Sequence, residues 1–304
     1  MRKEVSIALL NLADTNPKFV FLTGDLGFMA FEDLQAKMGE RFVNMGISEQ
    51  NMISVAASLA QDGNLPFVYS IAPFVINRPF EQIRNEMGMH NLPVKIVGNG
   101  GGYGYGIMGS THHCLEDIAL MRSVQNMQIY LPTYNTDVEE AVAQMALDPK
   151  PNYLRLNNSE NRPENVGAFD TFRQLSKGSK GCVIGAGPVI LNVVALNQKH
   201  NLDLSIWAIG KIPIIDLPSQ LVADINHNKK VITIEEHFKA GGIGELVSLE
   251  ILKNTAINKD QLKWESLVAN GYPSGNYGDQ KWHQEENKLG GQALLNALEQ
   301  FQNL

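Results

Sequence analysis

The sequence predicts an α/β protein built on mostly parallel sheets and divided into two domains. Three observations carry this. Short apolar, β-branched runs alternate with helix-period stretches along the whole chain. A polar segment with a single proline, Asn157 to Asn165, breaks the alternation near the middle. The chain has 304 residues, more than the roughly 100 to 200 of one ordinary domain.

In chain order, the runs Phe19 to Leu22, Phe67 to Ile71, Val94 to Val97, Gln128 to Leu131, Tyr153 to Leu156, Cys182 to Ile184, Leu204 to Ala208 and Val231 to Ile234 read as strands, with Phe42-Val43 as a shorter strand-like piece. Between them, Met52, Val55, Ala56 and Leu59 recur at i, i+3, i+4 and i+7, the stripe of an amphipathic helix. Phe80, Ile83 and Met87 mark another helix, and so do Leu115 to Ser123 and a closing segment, Ala293 to Leu298. The strand from Phe67 is expected to end at Pro73, and the joint between domains is expected between residues 157 and 180.

Composition narrows the function. Hydrophobic residues make up 44%, charged residues 19% and the net charge is −7. With a mean hydropathy of −0.15, this is the balance of a globular protein that repels nucleic acid and anionic membranes. A small-molecule role is the default. Cys114 and Cys182 are the only cysteines, too few for a disulfide framework and in keeping with a reducing cytoplasm. Met1-Arg2-Lys3-Glu4 opens no signal peptide and no run approaches the ~20 apolar residues of a membrane span, so the mature protein is expected to be the whole chain.

Three segments could carry chemistry. In Gly46-Ile47-Ser48-Glu49-Gln50 a glycine turn enters a helix, with Ser48 placed to cap it and Glu49 in its first turn. Glu49 either complements the helix dipole or serves a site, since the carboxyl ends of strands border the binding crevice of α/β proteins. The segment Gly98 to Gly109 matches G-x-G-x-x-G at Gly104, Gly106 and Gly109, but Ile129 to Thr133 lacks the acidic residue a dinucleotide fold needs. Its glycines would instead let backbone approach a ligand closely. His112, His113 and Cys114 follow. Consecutive residues do not converge on one metal, so a single histidine acts as donor or acid/base, or is structural. In the third segment Phe80 reads as core, whereas Phe74, just past a strand end, either joins the core or stacks on a planar ring.

Together and in order these segments resemble the C-terminal half of transketolase. Thr23-Gly24-Asp25-Leu26 is similar to the family's S-A-D-L, Gly46 to Gln50 to its G-I-R-E-H, and Gly109-Ser110-Thr111-His112-His113 to its G-P-T-H-Q. Val231 to Gly242 is similar to V-x-V-E-E-H-x-x-x-G-G of its C-terminal domain. The resemblance implies two doubly wound domains, a pyrimidine-binding domain over 1–165 and a transketolase C-terminal domain over 175–304. It implies thiamine diphosphate with Mg2+, Glu49 on the aminopyrimidine ring nitrogen favouring the tautomer that activates the thiazolium, and Phe74 stacked on that ring. A one-residue slip near Pro73 leaves Val75 as the other choice. Asp25 and Phe80 would be cofactor neighbours, and His112 would be the catalytic group that contacts donor hydroxyls. Arg155 and Arg2 match phosphate-binding arginines, with ordinary surface charge as the other reading.

The family's G-D-G, which holds the diphosphate and Mg2+, occurs nowhere in the chain. The resemblance therefore implies a split enzyme, an α2β2 assembly in which this chain meets its own copy and a partner resembling the N-terminal half of transketolase. Met108, Gly100 and Met29 stand where the family has an aspartate, a histidine and a serine, which implies an altered sugar or sugar phosphate. Other expectations are a 1-deoxyxylulose 5-phosphate synthase-like or 2-oxo acid dehydrogenase β-like subunit, the former because Val75 to Gln82 is similar to F-L-Q-R-A-Y-D-Q. A non-catalytic partner that kept the fold is a further expectation.

Overall fold

The computed structural model describes residues 1–303. The first half runs α1 (Arg2–Thr15), β1 (Phe19–Thr23), α2 (Glu32–Met38), β2 (Phe42–Asn44), α3 (Glu49–Gln61), β3 (Leu65–Ile71), α4 (Ala72–Ile76), α5 (Phe80–Gln82), β4 (Lys95–Asn99), α6 (Asp117–Ser123), β5 (Gln128–Tyr130), α7 (Asp137–Leu147) and β6 (Asn152–Leu156). The second runs β7 (Phe172–Ser176), β8 (Cys182–Ala186), α8 (Ile190–His200), β9 (Ser205–Ile209), β10 (Lys211–Ile212), α9 (Ser219–Asn228), β11 (Lys230–Glu235), α10 (Ile243–Lys253), β12 (Lys263–Leu267), α11 (Gln280–Glu286) and α12 (Gly291–Gln302). Among the described residues no helix is long and apolar enough to cross a membrane.

The strands form two sheets, ordered β10-β5-β6-β4-β3-β1-β2 and β12-β11-β8-β9-β7. Every pairing is parallel except β10 with β5 and β7 with β9. Helices cover both faces of the first sheet. Met52 and Ile53 of α3, Val75 and Ile76 of α4 and Ile118 of α6 fill one side, and Val5 of α1, Leu34 of α2 and Val142 of α7 fill the other. The parallel sheets are those the alternation predicted, and the helices on both faces of the first give the doubly wound form that the resemblance implied.

Each apolar run read as a strand is one, within a residue or two at the ends. The sequence reading missed β7, β10 and β12. All three lie at sheet edges; β7 and β12 are only partly buried and β10 is two residues long, so none needs a continuous apolar run. β10 matters most, because it is a strand of the second half added to the sheet of the first. The core is likewise shared: Ile96 and Ile129 belong to one buried cluster with Cys182, Trp207 and Val231. The strand from Leu65 stops at Ile71, before Pro73, which sits in the first turn of α4 where its missing N–H is harmless. The polar stretch after β6 has no regular element, yet its chain is held: Arg162 pairs with Asp137 and Glu140, and Phe169 is buried against the first half.

Candidate active site

Parallel strands put all their carboxyl ends on one edge, and β4, β3, β1 and β2 are consecutive neighbours in the sheet. The segments that follow them carry His112 (loop), Phe74 (α4), Asp25 (loop) and Glu49 (first residue of α3), so the order of strands collects four residues that are far apart in sequence. Asn44, at the end of β2, ties two of these segments together. Its side-chain carbonyl accepts from the amides of Asp25 and Gly46, each at 3.0 Å, and its amide donates to the Asp25 carboxylate at 3.0 Å. Asp25 takes a φ of 55° in this clasp. Ser48 does hold the N-cap position of α3, but its hydroxyl donates back to the Met45 carbonyl at 2.6 Å instead of capping the helix. The first turn thus keeps free amides and a positive field next to Glu49.

Glu49 is 4% exposed. Its two oxygens accept from one guanidinium nitrogen of Arg78 at 2.8 and 2.9 Å. The same guanidinium carbon lies 3.9 Å from the centre of the Phe74 ring. Phe74 is half-buried, and the His112 ring meets its edge with centroids 5.3 Å apart. Thr111 and His112 share a hydrogen bond between hydroxyl and Nδ1 at 3.0 Å. Glu49 and Arg78 open onto a cleft of ≈670 Å³ with Ile47, Ser48, Gln50 and Asn51. Val75, the other choice for the ring-stacking position, is wholly buried in the core beneath α4.

This arrangement fits an aminopyrimidine. Arg78 presents a planar, N–H-bearing group that satisfies Glu49 in its plane while packing on Phe74, the two contacts the ring would make.

The other expected residues are placed differently. Phe80 is only partly buried but packs on the core cluster. Arg155 is 5% exposed, which corrects the surface-charge reading. Its Nε donates to Asp117 at 2.7 Å and its Nη2 to the carbonyls of Cys114 and Glu236 at 3.2 and 2.9 Å, so those donors are turned inward, away from Glu49 and Phe74. Arg2 is exposed and donates to the Phe28 carbonyl. Met29 and Met108 are exposed at 95% and 55%. A side chain at Gly100 is excluded, because its Cβ would fall 2.2 Å from the Tyr105 ring. Tyr105, whose hydroxyl accepts from Asn99 at 2.8 Å, occupies that space. At the next two glycines the missing Cβ likewise makes room for the chain's own side chains: a Cβ at Gly101 would strike Arg155, and one at Gly102 would strike Glu236. His112, His113 and Cys114 diverge, with His112 half-buried at the site, His113 turned inward and Cys114 wholly buried. Sequence reasoning assigned no role to Arg78, Asn44 or Tyr105; Arg78 lies in the Val75 to Gln82 motif, but its pairing with Glu49 spans 29 positions and needs the fold.

Residues 1–163 match the family model for the transketolase pyrimidine-binding domain. The chain belongs to the transketolase family. An apulose-4-phosphate transketolase subunit of Phocaeicola vulgatus is 29% identical over 264 residues, 83% of this chain and 84% of that one. Mouse transketolase is 28% identical over 288 residues, 90% of this chain but 45% of that protein. A split-gene transketolase solved as an inactive β4 tetramer superposes with a TM-score of 0.81 at 26% identity, over 100% of this chain and 98% of that one. The resemblance read from sequence is thereby established, and the family is one of thiamine-diphosphate-dependent transferases.

Proposed function

We propose that this chain is the half of a split transketolase that supplies the aminopyrimidine site, while a separate polypeptide resembling the N-terminal half of transketolase supplies the diphosphate and Mg2+ site. The Phocaeicola vulgatus relative, named as one subunit of a transketolase, supports this division, as does the lack of any G-D-G in the sequence. Two copies of each polypeptide would form an α2β2 enzyme. The free, buried cysteines Cys114 and Cys182 support a cytoplasmic setting.

When bound, thiamine diphosphate supplies the nucleophilic carbon and electron sink needed to move a two-carbon ketol unit from a ketose to an aldehyde. The chain's own residues then divide the work. Glu49, shielded from water, would share a proton with the ring nitrogen, an interaction that the low local dielectric would strengthen. Phe74 gives the ring a flat apolar face. Asn44 keeps the loops of Asp25 and Glu49 in register. His112, whose ring lies beside Phe74, would hold donor hydroxyls or move a proton there. Met108, Gly100 and Met29 stand where the family has polar anchors at the substrate end, which supports a sugar other than a standard pentose phosphate.

The observation that carries the reading is the joint hold of Glu49 and Phe74 on one planar N–H group. Its test is reconstitution with the complementary polypeptide. Cofactor-dependent ketol transfer is expected, absent from either polypeptide alone and from Glu49→Gln, with thiamine diphosphate binding followed by circular dichroism. Turnover by the isolated chain, or carbon dioxide release from pyruvate, would overturn it.

A further inference from the structure

The loop that carries His112 is tied to the first half at its start, by Leu156 and Asn157, and is fastened farther along by the second half of the chain. Tyr103 donates its amide to Glu236 Oε1 at 2.7 Å and its hydroxyl to the Gly271 carbonyl at 2.7 Å. Its ring stacks on His283, with centroids 4.8 Å apart and planes 9° from parallel. Glu236 is 2% exposed and is itself held by Gln280 and Gln284, at 3.1 and 3.2 Å. His113 closes the arrangement. Its Nε2 meets the Gly106 carbonyl at 2.8 Å and its Nδ1 meets the Tyr272 hydroxyl at 2.8 Å. A carbonyl only accepts, so Nε2 carries the hydrogen, and in the neutral imidazole Nδ1 then receives the Tyr272 O–H. Burial favours that form, pushing the group from 6.5 down to about 4. His113 therefore joins the middle of the loop to the second half, one residue from His112.

We propose that His113 and Tyr272, with Glu236 as the second anchor, are positioning residues: the second half of the chain clamps the loop of residues 98–113 and so fixes His112 against Phe74. The link to catalysis rests on the functional reading above; the clamp itself does not. The family's motif has a glutamine where His113 stands, and a glutamine also offers one N–H donor and one carbonyl acceptor. The bonds, more than the ring, are what the position needs.

The test uses the full chain, alone and reconstituted with its complementary polypeptide. Tyr272→Phe removes one hydroxyl, His113→Leu removes both bonds at similar volume, and His113→Gln keeps a donor and an acceptor. Amide hydrogen exchange over residues 103–113 should quicken roughly tenfold in the first two, the equivalent of losing one buried hydrogen bond, and return close to wild type in His113→Gln. Exchange in β8, β9 and β11 should stay unchanged, as should thiamine diphosphate affinity, while kcat/KM for the donor falls in step with loop exchange. Exchange within twofold of wild type in Tyr272→Phe overturns the clamp, as does quickened exchange spread through the second half. Quickened loop exchange with unaltered donor kcat/KM overturns the positioning role. Absence of ketol transfer in the wild-type complex would instead refute the functional reading, and the exchange pattern would still decide the clamp.

Discussion

Replacing Arg155 by leucine separates a structural from a substrate-binding arginine. The Asp117 side chain is wholly buried, accepts from Arg155 Nε at 2.7 Å and Tyr153 Oη at 2.6 Å through Oδ2, and has no partner on Oδ1. Arg155→Leu leaves this carboxylate with one donor, takes the Arg155 donor from the Glu236 carbonyl and leaves the Cys114 carbonyl with the Gly102 amide alone. Breaking a buried pair from one side costs about 3 to 5 kcal/mol, which places the expected drop in melting temperature on the order of 10 °C. The double variant Arg155→Leu/Asp117→Leu leaves no orphaned charge and should recover part of that loss, a coupling that a double-mutant cycle measures. Urea titrations read through tryptophan fluorescence suit the measurement, since Trp207, Trp264 and Trp282 all lie in the second half. The reasoning is refuted if Arg155→Leu costs no more than about 1 kcal/mol, the worth of an exposed pair. It is equally refuted if stability is kept and only the KM for a phosphorylated sugar rises.

Four further outcomes are expected. Glu49→Gln should lower ketol transfer in the reconstituted enzyme by about a hundredfold or more with an unchanged melting curve, and retained activity would remove Glu49 from the chemistry. Arg78→Met should tighten thiamine diphosphate binding several-fold in calorimetry, because the guanidinium that lies on Phe74 and against Glu49 no longer competes; weaker binding would make Arg78 a support of the cofactor instead. Acidification should unfold the chain partly through His113: the unfolded group takes up its proton near 6.5 and the folded one only near about 4, so stability present above that window is lost as pH falls through it. The difference in urea midpoint between about pH 7 and about pH 5 should shrink in His113→Gln, and an unchanged difference contradicts the assignment. Gly102→Ala should destabilise by more than about 1 kcal/mol, since its φ of +64° is unfavourable for alanine and its Cβ would meet Glu236 at 2.7 Å; a neutral denaturation midpoint would show that the loop yields.

The strands that are buried on both sides were legible because burial on two faces demands an unbroken apolar run, as in Phe19–Thr23 and Cys182–Ala186. Edge strands such as Lys263–Leu267 escaped because one exposed side permits lysine and glutamate in the strand. Glu49, Phe74 and His112 could be named from motif order alone, and the structure sets them in one place because β4, β3, β1 and β2 are neighbours. Arg155 went the other way. Its type and position are the same for a phosphate ligand as for a buried ion pair, and only the packing of Asp117 and the Glu236 carbonyl around it distinguishes the two.

By itself, then, the order of residues determined the α/β alternation, the family and the residues most worth testing, because each leaves a local trace in periodicity, turn chemistry or motif spacing. Tertiary structure alone decided what those residues face. It made Arg78 the partner of Glu49, turned Arg155 inward, lent β10 to the first sheet, and laid the glycine-rich loop on the second half of the chain. Each of these depends on contacts between positions far apart in sequence, and a glycine that admits a ligand is written with the same letter as one that admits the protein's own glutamate.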